Sequence, residues 1–360
     1  MSGTVTITPL HGIPEVRPGD DLTDVVDSGL RSSGVTLADG DVVVVSSKVA
    51  SKALGLVTDD PDKERVVAGE SDGVVAERIS GERLTRIVTA KAGPVMAAAG
   101  VDGSNTGERG GLLLLPHDPD GVCRTLHTSL TLRHGVRLGV VLSDTAGRPW
   151  RVGQVDFALG AHGVRVLDDL RGAVDADGRD LSVTARALVD EIAAAADLVK
   201  GKVLGVPVAV VRGLADVVLD DASDGGLNGG LDGARGLVRT GPDDWFALGR
   251  VEAVRAALGV APGTALAARV GIPPAGPDTR TGAVARAVRL ALAADDEATA
   301  DVGDESVTLG ADGPYALGRL VARLEAALSC DGLEGRPLAP AADGCSVVVQ
   351  VRAAGLLSRP

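Results

Sequence analysis

The sequence predicts a mixed α/β (α+β) protein, and three observations carry that expectation. Short β-branched runs at 42–45, 138–142 and 206–211 read as buried strands. Longer segments with helical periodicity lie between them, so strands and helices share one core. Aromatic residues make up 1% of the chain against 45% hydrophobic residues, so that core must be built from Val, Leu, Ile and Ala.

In chain order, alternation of Val5 and Ile7 predicts a short strand at 5–9, and a mild helical pattern follows at 22–30. Asp39-Gly40-Asp41 is a turn leading into the valine run, which enters Ser46-Ser47-Lys48. Residues 60–80 are charged and read as helical. Residues 121–134 read as a helix, and the strand at 138–142 is expected to end at Ser143-Asp144-Thr145. The clearest helix is 184–200, with Ser182 or Thr184 as cap and Leu188, Ile192, Ala195 and Val199 on one apolar stripe. Beyond 249 the composition shifts. Helices are expected at 251–258, 281–294 and 315–328, and one strand at 347–351. This divides the chain into a domain at 1–249 and a shorter module at 250–360.

The charge balance excludes several functions. Net charge is −13, which lacks the basic footprint of a general nucleic-acid binder. No apolar run reaches the ~18–20 residues of a membrane span. The acidic first thirty residues do not resemble a secretory leader, so a cytoplasmic protein is expected. Cys123, Cys330 and Cys345 form no disulfide framework or zinc pattern, and Cys123 reads as a small core residue. Lysine is scarce: Lys48, Lys52, Lys63, Lys91, Lys200 and Lys202 are the six among 36 basic residues, so closely spaced lysines stand out.

Three polar clusters follow apolar segments, where open sheets place their chemistry. Ser46-Ser47-Lys48 with Lys52 offers hydroxyls, N–H groups and ammonium charge to a phosphate, without a Walker P-loop. Asp102-Gly103-Ser104-Asn105 and Ser143-Asp144-Thr145 offer the hard oxygens that Mg²⁺ or Mn²⁺ prefers. Competing structural readings are turn-capping for Asp102 and a helix N-cap for Asp144. Arg148, Arg151 and Gln154 could grip a second anion, and Asp156 or Asp197 could accept a proton. No GxSxG elbow surrounds Ser143.

These clusters sit in longer motifs that resemble the coenzyme F420-0:L-glutamate ligase (gamma-glutamyl ligase) family, in its actinobacterial form. The motifs are Gly12-Ile13-Pro14-Glu15-Val16, Gly40-Asp41-Val42-Val43-Val44-Val45-Ser46-Ser47-Lys48, Val101-Asp102-Gly103-Ser104-Asn105, Ser143-Asp144-Thr145-Ala146-Gly147-Arg148-Pro149-Trp150 and Asp190-Glu191-Ile192 through to Lys200-Gly201-Lys202. The resemblance covers about 1–250. It implies an intertwined two-subdomain ligase fold, usually dimeric, and GTP-dependent ligation of L-glutamate to coenzyme F420-0, with GDP and phosphate released. Longer members add further gamma-linked glutamates. By motif, Ile13, Pro14, Glu15, Val16, Ser46, Ser47, Lys52 and Asn105 would contact GTP. Asp102 and Asp144 would hold one divalent ion, Thr145 would touch a second, and potassium is usual.

The sequence departs from the family at Ser46, where Thr is frequent, and at Ala50 and Ala146. Residues 250–360 lack the basic segment and aromatic residues of the FMN-binding nitroreductase-like domain that relatives often carry. They read as a degenerate remnant or a separate small α/β module, stripe-packed through Leu317, Leu320, Val321, Leu324 and Leu328 as a cap or dimer contact, and no FMN is expected. A catalytically inactive scaffold and an amide ligase for a related carboxylate are the alternatives.

Overall fold

The β-branched runs pair with one another at the centre of a five-stranded sheet. The computed structural model describes residues 3–80, 83–106, 110–201, 204–219, 231, 233–240, 244–246, 249–274, 278–293 and 297–354. Lys202 and most of the Asp- and Gly-rich stretch at 220–232 lie outside these. The chain divides into two compact units, Met1–Val238 and Arg239–Pro360.

The first unit runs β1 (Thr6–Pro9), α1 (Leu22–Ser33), β2 (Asp41–Ser46), α2 (Ser47–Ala53), β3 (Val57–Thr58), α3 (Lys63–Gly69), β4 (Ser71–Ser80), β5 (Arg83–Ala90) and β6 (Val95–Ala97). It continues with β7 (Leu112–Leu113), α4 (Pro119–His134), β8 (Leu138–Arg148), β9 (Arg151–His162), β10 (Leu167–Asp169), β11 (Ala185–Ala187), α5 (Leu188–Lys200) and β12 (Val208–Arg212). The main sheet has the order β1-β12-β2-β8-β9. Its pairings are antiparallel except β2 with β8, which run parallel with Val43 opposite Val140 and Ser46 opposite Ser143.

Both faces of this sheet are buried, which is why its strands read as unbroken apolar runs. Val43, Val45, Val140, Leu142, Val208 and Val210 face one core with α1, α2 and α4, and Cys123 is part of it. Val42, Val44, Val141, Ala209 and Val211 face the other, closed by Leu188, Val189, Ile192, Ala193 and Ala196 of α5. Successive side chains on a strand point to opposite faces, so one valine run serves both layers.

Four local expectations change. The charged stretch at 60–80 is helical only in α3. Gly73 and the β-branched Val74 and Val75 then carry β4, a half-exposed strand whose charges resemble a solvated helix face. The helix expected from 184 begins at Leu188, because 185–187 pair with 167–169 instead. Its buried stripe uses Ala193 and Ala196 rather than Ala195 and Val199, and it ends on Lys200. β8 does not stop before Ser143 but continues through Arg148 and turns at Pro149-Trp150 into β9. Proline pre-sets the first turn residue, and Trp150 takes the second with φ of 56°, a conformation side chains rarely adopt.

The second unit holds α6 (Gly249–Ala257), α7 (Ala265–Val270), α8 (Arg280–Leu292), β13 (Thr299–Val302), β14 (Ser306–Gly310), α9 (Pro314–Ser329), β15 (Leu333–Pro337) and β16 (Ser346–Ala353). Its antiparallel sheet has the order β13-β14-β16-β15, where the sequence suggested a single strand. Short strands with interspersed Gly, Thr and charged residues hid the other three. Leu317, Leu320, Leu324 and Leu328 are buried and Val321 packs beside them, but in this unit's own core with α8 and the sheet. One apolar face is buried once, so this stripe is not an external cap or contact.

Asp27 ties α1 to α4, accepting from Arg133 Nη1 at 2.6 Å and meeting His134 Nε2 at 2.8 Å. Burial alone would push this carboxyl up, but the hydrogen bonds from Arg133 and His134 outweigh it and hold the group below its ordinary value. Such a group adds stability above its unfolded pKa of about 4, which is lost as pH falls through the lower folded value. Asp27→Ala should therefore lower the melting temperature by a few degrees at pH 7. The gap to the parent should close as melts are repeated below pH 4.

Candidate active site

The parallel register of β2 and β8 brings the polar end of β2 beside the polar middle of β8. Ser46 lies opposite Ser143, so the next residues, Ser47 at the start of α2 and Asp144 within β8, are neighbours. The Ser47 hydroxyl donates to Asp144 Oδ1 at 2.9 Å. Asp144 is therefore not a helix N-cap but an in-strand carboxylate, enclosed by atoms although part of its surface faces a cleft. Burial pushes its carboxyl up to about 6, while the Ser47 hydroxyl and the Thr145 N–H act in the opposite direction.

That cleft holds about 1350 Å³. Ile13, Pro14, Glu15 and Val16 line it from the segment before α1, and Ser46, Ser47 and Lys52 from the junction of β2 and α2. Asp102 and Asn105 line it from the segment before β7. Asp144, Thr145, Arg148, Arg151, Gln154 and Asp156 line it from the β8–β9 hairpin, and Asp197 from α5. Every residue singled out in the sequence as a nucleotide, metal, substrate or proton-transfer candidate thus borders one space.

The charged groups are paired across it. Lys48 Nζ sits 2.7 Å from Asp102 Oδ2 and donates to the Ser104 carbonyl at 3.1 Å. Asp102 also accepts from the Ser104 N–H at 2.9 Å and hydroxyl at 2.8 Å, so it both caps its turn and faces the cleft. Burial would raise its carboxyl, but Lys48 and Ser104 outweigh that and the net direction is down. Main-chain bonds between Asp102 and Leu113 fix this segment. Lys52 Nζ reaches Glu15 Oε1 at 2.5 Å, joining α2 to the N-terminal segment. Lys48 and Lys52 therefore both point into the site, one helical turn apart.

A second network lies under the hairpin. Asp156 accepts from Thr145 Oγ1 at 2.7 Å on Oδ1, and from Ser143 Oγ and Lys200 Nζ, each at 2.9 Å, on Oδ2. Lys200 Nζ also donates to Ser143 Oγ at 2.5 Å. Ser143, Asp156 and Lys200 are all at or below 5% exposed. Both oxygens of Asp156 are engaged, so this carboxylate anchors its neighbours and is poorly placed to take a substrate proton. Sequence reasoning assigned Lys200 no role; its signal was the scarcity of lysine and its position ending an apolar stripe.

The donor set suits a hard divalent ion. Asp102 and Asp144 offer carboxylate oxygens and Thr145 a hydroxyl whose proton is directed to Asp156, leaving lone pairs free. Among the described residues no three His, Cys, Asp or Glu side chains converge as a self-sufficient metal cage. Mg²⁺ usually takes one or two carboxylates and completes its shell with water and substrate phosphates, so the residues fit that ion.

Residues 12–213 match the family model described as F420-0:Gamma-glutamyl ligase, which is more than half of the chain. The chain belongs to the F420-0:gamma-glutamyl ligase family. It is similar to the coenzyme F420:L-glutamate ligase of Archaeoglobus fulgidus, 40% identical over 225 residues, covering 58% of this chain and 88% of that protein. It is also similar to proteins of the same name from Methanopyrus kandleri, at 37% over 231 residues (59% and 88%), and Haloarcula marismortui, at 39% over 224 residues (56% and 85%). The family match spans all the cleft residues named above.

The Asp156–Lys200 pair gives this family member a testable dependence. Removing one partner of a buried ion pair leaves the other charge unpaired, which costs about 3–5 kcal/mol. Asp156→Ala should lose stability of that order in chemical denaturation, whereas Gln154→Ala on the exposed hairpin edge should change little.

Proposed function

We propose that this chain joins L-glutamate to the terminal carboxylate of coenzyme F420-0 with GTP as co-substrate, releasing GDP and phosphate. The observation that carries the reading is the convergence, in one cleft inside the family-matched span, of two carboxylates on adjacent segments, a hydroxyl beside one of them and two lysines on α2. The names of the similar proteins supply the acceptor and the amino acid.

The chemistry follows from the weakness of a carboxylate as acyl donor, because its leaving group would be oxide. Transfer of the GTP γ-phosphoryl group to that carboxylate gives an acyl phosphate, and the glutamate amine then displaces phosphate to form the amide. Divalent ions, Mg²⁺ or Mn²⁺, held by Asp102, Asp144 and Thr145 would supply charge neutralisation on the phosphates. The chain's own residues bind and orient. Ile13, Pro14, Glu15 and Val16 border the nucleotide, with Ser46, Ser47, Lys52 and Asn105 completing its surround. Lys52 exchanges its Glu15 partner for phosphate oxygens, and Lys48 neutralises Asp102 until the divalent ion takes its place. Arg148, Arg151 and Gln154 on the hairpin hold the acceptor's anionic groups. Asp197, which borders the cleft from α5, is the carboxylate assigned to the amine proton. The reading takes the enzyme as a cytoplasmic homodimer whose second unit binds no flavin.

The deciding experiment measures GDP formation with coenzyme F420-0 and L-glutamate, with ATP as control. GTP-specific, glutamate-dependent release is expected; no release with either nucleotide would leave the inactive-scaffold reading. Asp144→Asn should keep the fold and lower turnover by orders of magnitude, since one charge at the ion site is lost. Near-normal turnover in that folded variant would remove the metal assignment.

Lysine substitution separates the two cations. Lys52→Ala should raise the KM for GTP with the divalent optimum unchanged. Lys48→Ala, which frees Asp102, should shift the divalent concentration giving half-maximal rate. Equal, small effects in both would mean that neither lysine meets the nucleotide.

A further inference from the structure

Where β8 passes from its apolar half into its polar half, its pairing with β9 slips by one residue. Val140, Val141 and Leu142 lie opposite His162, Ala161 and Gly160, but Ser143, Asp144 and Thr145 lie opposite Ala158, Phe157 and Asp156. Leu159 is the extra residue, a β-bulge. Leu159 and Gly160 both face α4: Leu159 packs in the core that α4 covers, and a Cβ on Gly160 would lie 2.5 Å from the Pro119 carbonyl at the start of that helix. Ala158 and Ala161, on either side, face the core closed by α5.

The bulge decides which face Asp156 takes. Had the pairing of Leu142 with Gly160 simply continued, Asp156 would lie opposite Ala146 and on the face of Asp144, because a one-residue slip reverses the faces of a strand. With Leu159 inserted, Asp156 lies opposite Thr145 and accepts from the Ser143 and Thr145 hydroxyls at 2.9 and 2.7 Å. Bulges beside functional sites re-aim side chains in this way.

β9 is an edge strand of the main sheet, so some of its N–H groups point away from β8 and need partners elsewhere. Two carboxylates take those flanking the bulge. Asp190, in the first turn of α5, accepts from the Ala158 N–H at 2.9 Å, and Asp120 of α4 accepts from the Ala161 N–H at 2.8 Å. Asp120 also accepts from the Ala234 and Arg235 N–H groups, at 2.9 and 3.1 Å. The Asp190 carboxylate makes no other hydrogen bond among the described residues and does not border the cleft.

We propose that Asp190 is a positioning residue: its carboxylate holds the bulge at Leu159 through the Ala158 N–H, and so keeps Asp156 beneath Ser143 and Thr145, the residues on either side of the proposed metal ligand Asp144. Its effect on turnover rests on the ligase reading above; its effect on the strand does not.

The test compares the full-length parent with three variants. Asp190→Asn keeps an acceptor oxygen at the same reach without the charge, Asp190→Glu keeps the charge but moves its oxygens by one methylene, and Asp190→Ala removes both. Amide hydrogen exchange is followed by mass spectrometry in peptides covering 155–162. Asp190→Ala and Asp190→Glu should lose protection there, and Asp190→Asn should keep it. In the GTP assay, the magnesium concentration giving half-maximal rate should rise about 10–100-fold in Asp190→Ala and Asp190→Glu, as for loss of an outer-shell partner, and stay parental in Asp190→Asn. The KM for L-glutamate should not move. A residue that only stabilised the fold would lower the melting temperature and leave the magnesium requirement of the folded protein unchanged. A folded Asp190→Ala with parental protection or a parental magnesium requirement overturns the proposal, and so does an Asp190→Asn as impaired as Asp190→Ala. Should Asp190→Ala not fold, Asp190→Glu against Asp190→Asn decides by the same two readouts. Protection lost in Asp190→Ala and kept in Asp190→Asn, without GTP turnover in the parent, would uphold the hold on the strand and sink the ligase reading instead.

Discussion

One parallel strand pairing sets the chemistry of this molecule. The rest of the main sheet is antiparallel, so neighbouring chain segments enter and leave at opposite ends and their polar termini are kept apart. Between β2 and β8 the directions agree, and β2 ends beside Ser143 while β8 runs on past it. A register shift of one residue would exchange the two buried faces and move Ser47 away from Asp144. Asp41, fully buried at the start of β2 and held by Arg212 of β12, would lose its partner in such a shift, so that pair helps to fix the Ser47–Asp144 hydrogen bond in the cleft.

The second constraint is electrostatic. The cleft gathers carboxylates in an already acidic protein, and three of them have a local counter-charge, Lys48 for Asp102, Lys52 for Glu15 and Lys200 for Asp156, while Asp144 accepts from the Ser47 hydroxyl. The first two pairs are partly exposed and exchange partners at modest cost, as surface ion pairs do. The third is buried, and breaking it would strand two charges in low dielectric. Exchangeable pairs suit the proposed uptake of a polyanionic nucleotide; the fixed pair suits the frame of the β8–β9 hairpin.

Much of this was legible in the sequence, and the pattern of what was not has a physical basis. The valine run at 42–45, the strand at 138–142 and the helix over 121–134 carry periodicities that tertiary structure does not override. The motifs at Asp102, Asp144 and Lys52 could be gathered because polar groups directly after apolar strands have few structural reasons to be there. β8 was cut short for the same reason: Ser143, Asp144 and Thr145 read as a loop by polarity, yet they pair with β9 because the hairpin itself forms the cleft wall. Lys200 was missed because a lysine ending an apolar helix stripe looks like a solvated end, and only the three-dimensional approach of Ser143 and Asp156 shows that it is enclosed.

The same limit explains the second unit. An apolar stripe at helical spacing on α9 shows that one face is covered without showing by what. Here β14 and β16 bring Val307, Leu309, Val347 and Val349 beneath it, alternating with exposed Thr308 and Gln350. With that face closed, the outer side of α9 presents Tyr315, Arg319 and Glu325. The unit therefore has a core of its own, and the leucine stripe is not a surface through which it can associate. A packed core of this kind is maintained by many small apolar residues acting together, which distinguishes a folded module from a tail that merely retains helical periodicity.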